Sequence, residues 1–252
     1  MPADNRYISD ILAPSGVLRA GINLSNFLLV SSRASDGTPQ GISPDMAGWV
    51  AAALDLPFVL VPFNRPGELA NAVDQDQWDI GNIAFEAERA KTIAFSTPYV
   101  VIDANFLFRA DAHFDQNEDV DSDGVKIAVS ERSAYDLWLT DHFKKAEICR
   151  APSIAAAHEM FHQGAVDVLA SLKPKLLEEI DADPSLKMLD TPFAAVNQSI
   201  GVRQSISVRQ EGQPDIVAFL NDVIVRRIAD GSVAAALKRH GVDTKLSIPD
   251  PA

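Results

Sequence analysis

The chain has 252 residues, 47% of them hydrophobic and 23% charged, with a formal net charge of −13. That length suits one large domain or two small ones, and the apolar fraction can fill a substantial core. The acidic balance argues against nucleic-acid binding, which uses a basic patch, and gives no general attraction to anionic membranes. An anion held by such a chain needs locally fixed donors.

Residues 1–13 read as a short helix or arm, and residues 17–23 as a strand followed by an apolar loop patch at 27–30. A turn at 36–39 precedes Ser43-Pro44-Asp45, which reads as a helix start: hydroxyl N-cap, proline at N1, acid in the first turn. That helix runs through 46–54. A strand at 58–62, a helix at 68–75 and strands at 78–83 and 92–95 follow, then a long apolar strand at 100–109. Residues 111–124 read as an Asp-rich surface loop without the glycine and terminal glutamate of a calcium loop. Strands are expected at 125–130, 147–151 and 165–170, with helices at 134–144 and 154–163. A strand at 199–203, helices at 214–229 and 232–239, a stop at Gly241 and a frayed end over 246–252 complete the reading. Strands alternating with helices predict an α/β fold with a largely parallel sheet.

The one cysteine, Cys149, excludes an internal disulfide and reads as a small packed residue. His158 and His162 share a helical face, but with no third ligand evident the pair reads as solvated rather than metal-binding. The first ten residues lack the basic start and apolar core of a secretory signal, and no run reaches the ~18 apolar residues of a membrane span.

Residues 78–100 carry the most information. A strand-like run contains Gly81, and a polar turn then presents Arg89. A guanidinium offers a planar fork that matches a carboxylate by two parallel hydrogen bonds. A surface ion pair of Arg89 with Glu86 or Glu88 is the alternative.

Asp79, Gly81, Glu88, Arg89, Phe95, Ser96, Pro98 and Tyr99 together resemble a run found in the solute-binding proteins of family 3, the amino-acid-binding components of bacterial ABC importers. Residues 16–23 resemble that family's opening strand, residues 41–47 its Gly-Phe-Asp-x-Asp-Leu helix start, and residues 125–130 the first strand of its second lobe. The resemblance spans about residues 14–242. It implies the type 2 periplasmic-binding-protein fold, two α/β lobes joined by two crossing strands. Lobe one would be 1–107 plus 199–252 and lobe two 108–198, with the ligand in a cleft that closes on it.

By the same resemblance Arg89 binds the ligand carboxylate. Ala84 stands where relatives have a hydroxyl, leaving its backbone N–H, and Asn82 can replace the lost donor. Phe27 lies where relatives place an aromatic against the ligand, or it packs in the core. In lobe two, Ser133 and Ala134 stand at the helix start that follows Gly-Thr-Thr in relatives, a position suited to an anion. Arg132 replaces the glycine and points to the rim or to solvent. Gly164 and Asp167 match a segment after which relatives have an acid for the ligand ammonium. Leu172 stands there instead, beside Ser171 and Lys173. A buried ammonium without a partner is costly, so a deaminated or dicarboxylic acid fits the charges better, unless Glu131 or Asp136 substitutes.

The expected function is non-catalytic binding of a small carboxylate, with no cofactor or metal, no nucleic-acid partner, ABC-transporter membrane subunits as partners and a monomeric state. As written, the chain is expected in the cytoplasm, with the periplasm, usual for the family, as the alternative. The competing function is a lyase like the cyclohexadienyl dehydratases, which share the fold and need a carboxyl acid at the substrate. Glu131 and Asp136 are its candidates.

Overall fold

A computed structural model of the protein describes residues 3–207 and 214–250. The chain divides into two compact units, residues 1–101 with 197–252, and residues 102–196.

The first unit opens with α1 (Ala3–Leu12) and β1 (Leu18–Asn23), followed by a two-stranded ribbon of β2 (Ser32–Arg33) and β3 (Pro39–Gln40). Next come α2 (Ile42–Ala53), β4 (Phe58–Phe63), α3 (Pro66–Asn71), β5 (Ile80–Ala84) and β6 (Ile93–Phe95). β1 lies parallel between β4 and β5, with Gly21 beside Gly81. The missing side chains there serve packing. A Cβ on Gly21 would meet the Leu69 Cδ1 atom at 2.4 Å, and one on Gly81 would lie 3.2 Å from the indole of Trp78. Trp78 is buried and donates from Nε1 to the Leu69 carbonyl at 2.9 Å. Gly81 therefore makes room for an indole rather than baring backbone for a ligand. Asp79 is also structural: its carboxylate accepts from the Arg19 N–H and guanidinium, each at 2.7 Å, which ties β1 to the entry of β5.

The helix at 42 starts earlier than its hydroxyl suggests. Gly41 is the N-cap, with φ 153°, and a Cβ there would lie 2.1 Å from the Leu29 carbonyl oxygen. Ser43, buried within the first turn, instead shares a 2.8 Å hydrogen bond with the Tyr99 hydroxyl. A buried phenol needs a partner, and that need outweighs capping preference here.

β7 (Val100–Arg109) leads into the second unit, which continues with α4 (Asn117–Val120), β8 (Lys126–Ser130), α5 (Ala134–His142), β9 (Glu147–Ala151), α6 (Ile154–His162), β10 (Val168–Leu172), α7 (Lys173–Ala182) and β11 (Leu186–Met188). β8 lies parallel to both β9 and β10, and β10 runs antiparallel to β7. Leu107, Ala128, Phe161, Leu169 and Leu176 form its core. α4 interrupts the expected surface loop, and the sequence reading names no element at α7 or β11. Of the two histidines of α6, His162 is exposed as expected, but His158 is not. His158 is 5% exposed, with Nδ1 2.7 Å from Glu179 Oε1 and Nε2 3.1 Å from Ser171 Oγ. His162 Nε2 lies 2.9 Å from Glu179 Oε2. The histidines thus dock α7 onto α6, and no metal-binding group of three such side chains occurs among the described residues.

β12 (Ala194–Arg203) returns the chain to the first unit, antiparallel to β5 and β6, followed by α8 (Gln204–Ser207), α9 (Ile216–Ala229) and α10 (Ser232–Arg239). The end of the chain is not frayed at 246–247: Leu246 is buried and Ser247 bridges to Val101. No helix among the described residues is long and apolar enough to cross a membrane.

Candidate functional site

In an open α/β sheet, ligands gather at the carboxyl ends of the parallel strands. In the first unit, those of β1 and β5 carry three of the four expected residues. Asn82 and Ala84 lie on β5, and Arg89 opens the short 3-10 turn that follows. Arg89 is no surface arginine: it is 5% exposed, and its Nη1 donates to the Ala84 carbonyl at 2.8 Å. Glu88, one of the two acids expected to compete for it, bonds Lys91. Asn82 is 1% exposed, and neither its Nδ2 nor its Oδ1 has a hydrogen-bond partner. A buried primary amide with both ends unmet is costly, of order 1–3 kcal/mol per group. The fourth residue, Phe27, lies in the turn after β1 and is half-buried. The neighbouring pair Ile22 and Asn82 brings that turn to the same edge as Ala84.

In the second unit the corresponding edge belongs to β8 and β10. Their register, Ile127 beside Val168 and Ala128 beside Leu169, brings the turn after Ser130 and the turn after Leu172 out together. Ser133 is the N-cap of α5, its Oγ accepting from the Asp136 N–H at 3.1 Å. Its own N–H is spent on the Ser130 carbonyl, so it is not the anion donor expected of it. Ala134, the first helical residue, retains an N–H without an intrahelical acceptor, as first-turn N–H groups do. Arg132 has φ 57°, in the left-handed region, where relatives have glycine. Its N–H is held by Asp136 Oδ2 at 2.7 Å.

Asp136, one of the two acids considered for the ligand ammonium or for acid catalysis, is committed to the turn. It is 2% exposed; Oδ1 accepts from Arg150 Nε at 2.9 Å and Oδ2 from the Arg132 N–H. Burial lifts its carboxyl above the usual range, while the Arg132 N–H and Arg150 pull the other way. Glu131 is exposed.

Lys173 begins α7, directly after the buried Leu172, with Nζ 3.6 Å from Asp103 Oδ2. Its charge is partly matched already. Asp103 is the acid that sequence reasoning missed. It stands on β7 next to Ala104, the cross-strand partner of Leu172. Its signal was a lone carboxylate in a mostly apolar strand, VVIDANFLFR.

The family described as bacterial extracellular solute-binding proteins, family 3, matches residues 19–243. The chain belongs to that family, and its α/β architecture is that of the type 2 periplasmic-binding proteins. Among curated relatives, the L-cystine-binding protein TcyJ of Escherichia coli K12 is 22% identical over 207 residues, covering 81% of this chain and 75% of the relative. The cyclohexadienyl dehydratase of Pseudomonas aeruginosa is 27% identical over 164 residues, covering 64% of this chain and 60% of the enzyme. Among solved structures, a mutant of ArgBP from T. maritima superposes with TM-score 0.71 at 20% identity, covering 93% of this chain and 99% of that one. The chain is thus a solute-binding protein of family 3.

Proposed function

We propose that the protein is a non-catalytic binder that closes on one small carboxylate ligand and delivers it, as a monomer, to the membrane subunits of an ABC importer. The ligand carboxylate pairs with the Arg89 guanidinium, assisted by the Asn82 amide and the Ala84 N–H. The second unit adds the Ala134 N–H at the α5 start, with Ser133, Arg132 and Lys173 around it. Phe27 packs on the apolar part of the ligand. Membership of a family described as extracellular supports the periplasmic alternative over the cytoplasmic one.

The observation that carries this reading is the Asn82 amide, buried and unpartnered on the strand whose last carbonyl holds Arg89. A bound carboxylate accepts from the amide nitrogen and offsets part of its cost. Leu172 in place of an acid, and Asp136 engaged by Arg150, favour a ligand without an ammonium group. If the ligand does carry one, Asp103, which already pairs with Lys173 beside Leu172, is the candidate acid.

A thermal-shift panel on ligand-free protein tests this, pairing amino acids with their keto, hydroxy and dicarboxylate analogues and including prephenate. Ligand at 100 times its Kd adds about 2.7 kcal/mol. In a chain of this size that raises Tm by roughly 5–10 °C. Shifts with deaminated acids are the expected result. Shifts confined to amino acids, lost in D103N, would overturn the preference and assign the ammonium to Asp103. The dehydratase relative keeps a second reading open, and turnover of prephenate in the same wells would establish it in place of pure binding.

A further inference from the structure

Ser199, on β12, is 1% exposed, and its Oγ has no hydrogen-bond partner. It lines a cavity of about 620 Å³ built wholly within the first unit, together with Phe85, Phe95, Asn197, Asn221 and Val217. That volume lies within the usual range for small-molecule sites, roughly 300–1,000 Å³. In a chain of net charge −13, no charged side chain among the described residues lines it.

The cavity is separate from the Arg89 site. Side chains alternate along a strand, so Ile83 and Phe85 point to the face of β5 opposite Asn82 and Ala84. Ser199 sits across from Ile83, and on β12 it shares its face with Asn197 and Gly201. Gly201 leaves the space that Ile93 and the Phe95 ring occupy: a Cβ there would lie 2.5 Å from Ile93 Cγ2 and 3.5 Å from Phe95 Cε1. Phe85 stands edge-on to Phe95, ring centroids 5.4 Å apart at 77°, yet remains 46% exposed. The result is an aromatic wall with one unmet hydroxyl and three amide side chains, Asn197, Gln204 and Asn221, of which Asn221 Oδ1 accepts from the Thr97 N–H at 2.7 Å.

We propose that this cavity is a second ligand site, for a small uncharged aromatic molecule with one hydrogen-bonding group, of the size of indole or phenol. The ring packs on Phe85 and Phe95, and its N–H or O–H meets the Ser199 hydroxyl. Among the described residues the lining is uncharged, which disfavours carboxylates, since they would be desolvated without a counter-charge.

Titration calorimetry of the whole chain with indole, phenol and benzoate tests the proposal. Indole and phenol are expected to bind one per chain with Kd below about 1 mM, within reach of ligands this small. Benzoate at this cavity is expected to be at least tenfold weaker, measured in R89A so that the carboxylate site does not contribute. Ser199→Ala should weaken indole at least fivefold while leaving ligand-free Tm unchanged or higher, because its hydroxyl has no partner to lose. Phe85→Ala, at an exposed position, should weaken indole similarly without unfolding the chain. R89A should bind indole as the parent does, so loss of the carboxylate reading would leave this one standing. Absence of saturable indole and phenol binding, equal affinity for benzoate in R89A, or parent-like indole affinity in both Ser199→Ala and Phe85→Ala would overturn it.

Discussion

The two units hold the charged and polar groups at their carboxyl edges differently. At the carboxyl edge of the first unit, Asn82 is sealed from water with its amide unmet, close in sequence to the buried Arg89. At the same edge of the second unit Ser133 caps α5, Asp136 ties Arg132 to Arg150 and Lys173 pairs with Asp103, while the buried Tyr135 hydroxyl lacks a hydrogen-bond partner. Unmet buried groups cost stability until a ligand arrives, whereas satisfied ones mainly fix geometry. If the proposed site holds, this contrast makes the first unit the main source of affinity and the second mainly a source of shape.

The sharpest way to break the contrast is Arg89→Ala. Removing one partner of a buried charged pair typically costs 2–5 kcal/mol, so carboxylate affinity by calorimetry should fall by about 30-fold to several thousand-fold. Arg89→Lys should recover little, because an ammonium lacks the planar fork. Parent-like affinity in Arg89→Ala would move the site elsewhere.

Asn82→Ala comes next. Binding should weaken about tenfold, the worth of one hydrogen bond of roughly 1.4 kcal/mol. The unliganded protein should be no less stable in urea, since the amide has no partner to lose. A destabilised apo form with intact binding would reverse the comparison.

His158 gives a pH signature confined to the second unit. Burial, opposed by Glu179, holds its pKa below the ordinary value of 6.5. The fold therefore favours the neutral ring. Its contribution to stability is complete above pH 6.5 and is lost as pH falls from there toward the lowered folded-state pKa. Urea unfolding across that window should show stability declining with acid, and H158Q should flatten the slope. A slope unchanged in H158Q would assign the loss to other groups.

Arg132→Gly should have the smallest effect. An L-residue in the left-handed region costs about 1–2 kcal/mol, which glycine avoids at some entropic penalty. A stability gain of up to about 1 kcal/mol with little change in carboxylate affinity would fit a second unit that contributes shape. A large loss of affinity would instead give the Arg132 guanidinium a direct role.

Local signals made much of this legible. β7 and β9 fall on the boundaries that apolar runs imply, and Arg89 stood out as a lone guanidinium after a strand. What sequence could not show is which partner a side chain finds. Ser43 reads as a cap because nothing nearby announces Tyr99, 56 residues on. The His158–His162 pair reads as a wet face because Glu179 arrives on a helix whose lysine-proline opening looks like a loop. Ser247 reads as frayed because its pairing partner, Val101, is far away in the chain.

The pairing of β12 with β5 and β6 has a consequence for synthesis. The stretch 102–196 is continuous and can fold as it leaves the ribosome. The opening segment cannot complete its sheet until residues 194–203 emerge, because among the described residues β6 pairs only with β12, and β5 lies between β1 and β12. At ~5–20 residues per second that delay is roughly 5–20 s, during which the strand bearing Asn82 presents an open edge to any chain or chaperone nearby.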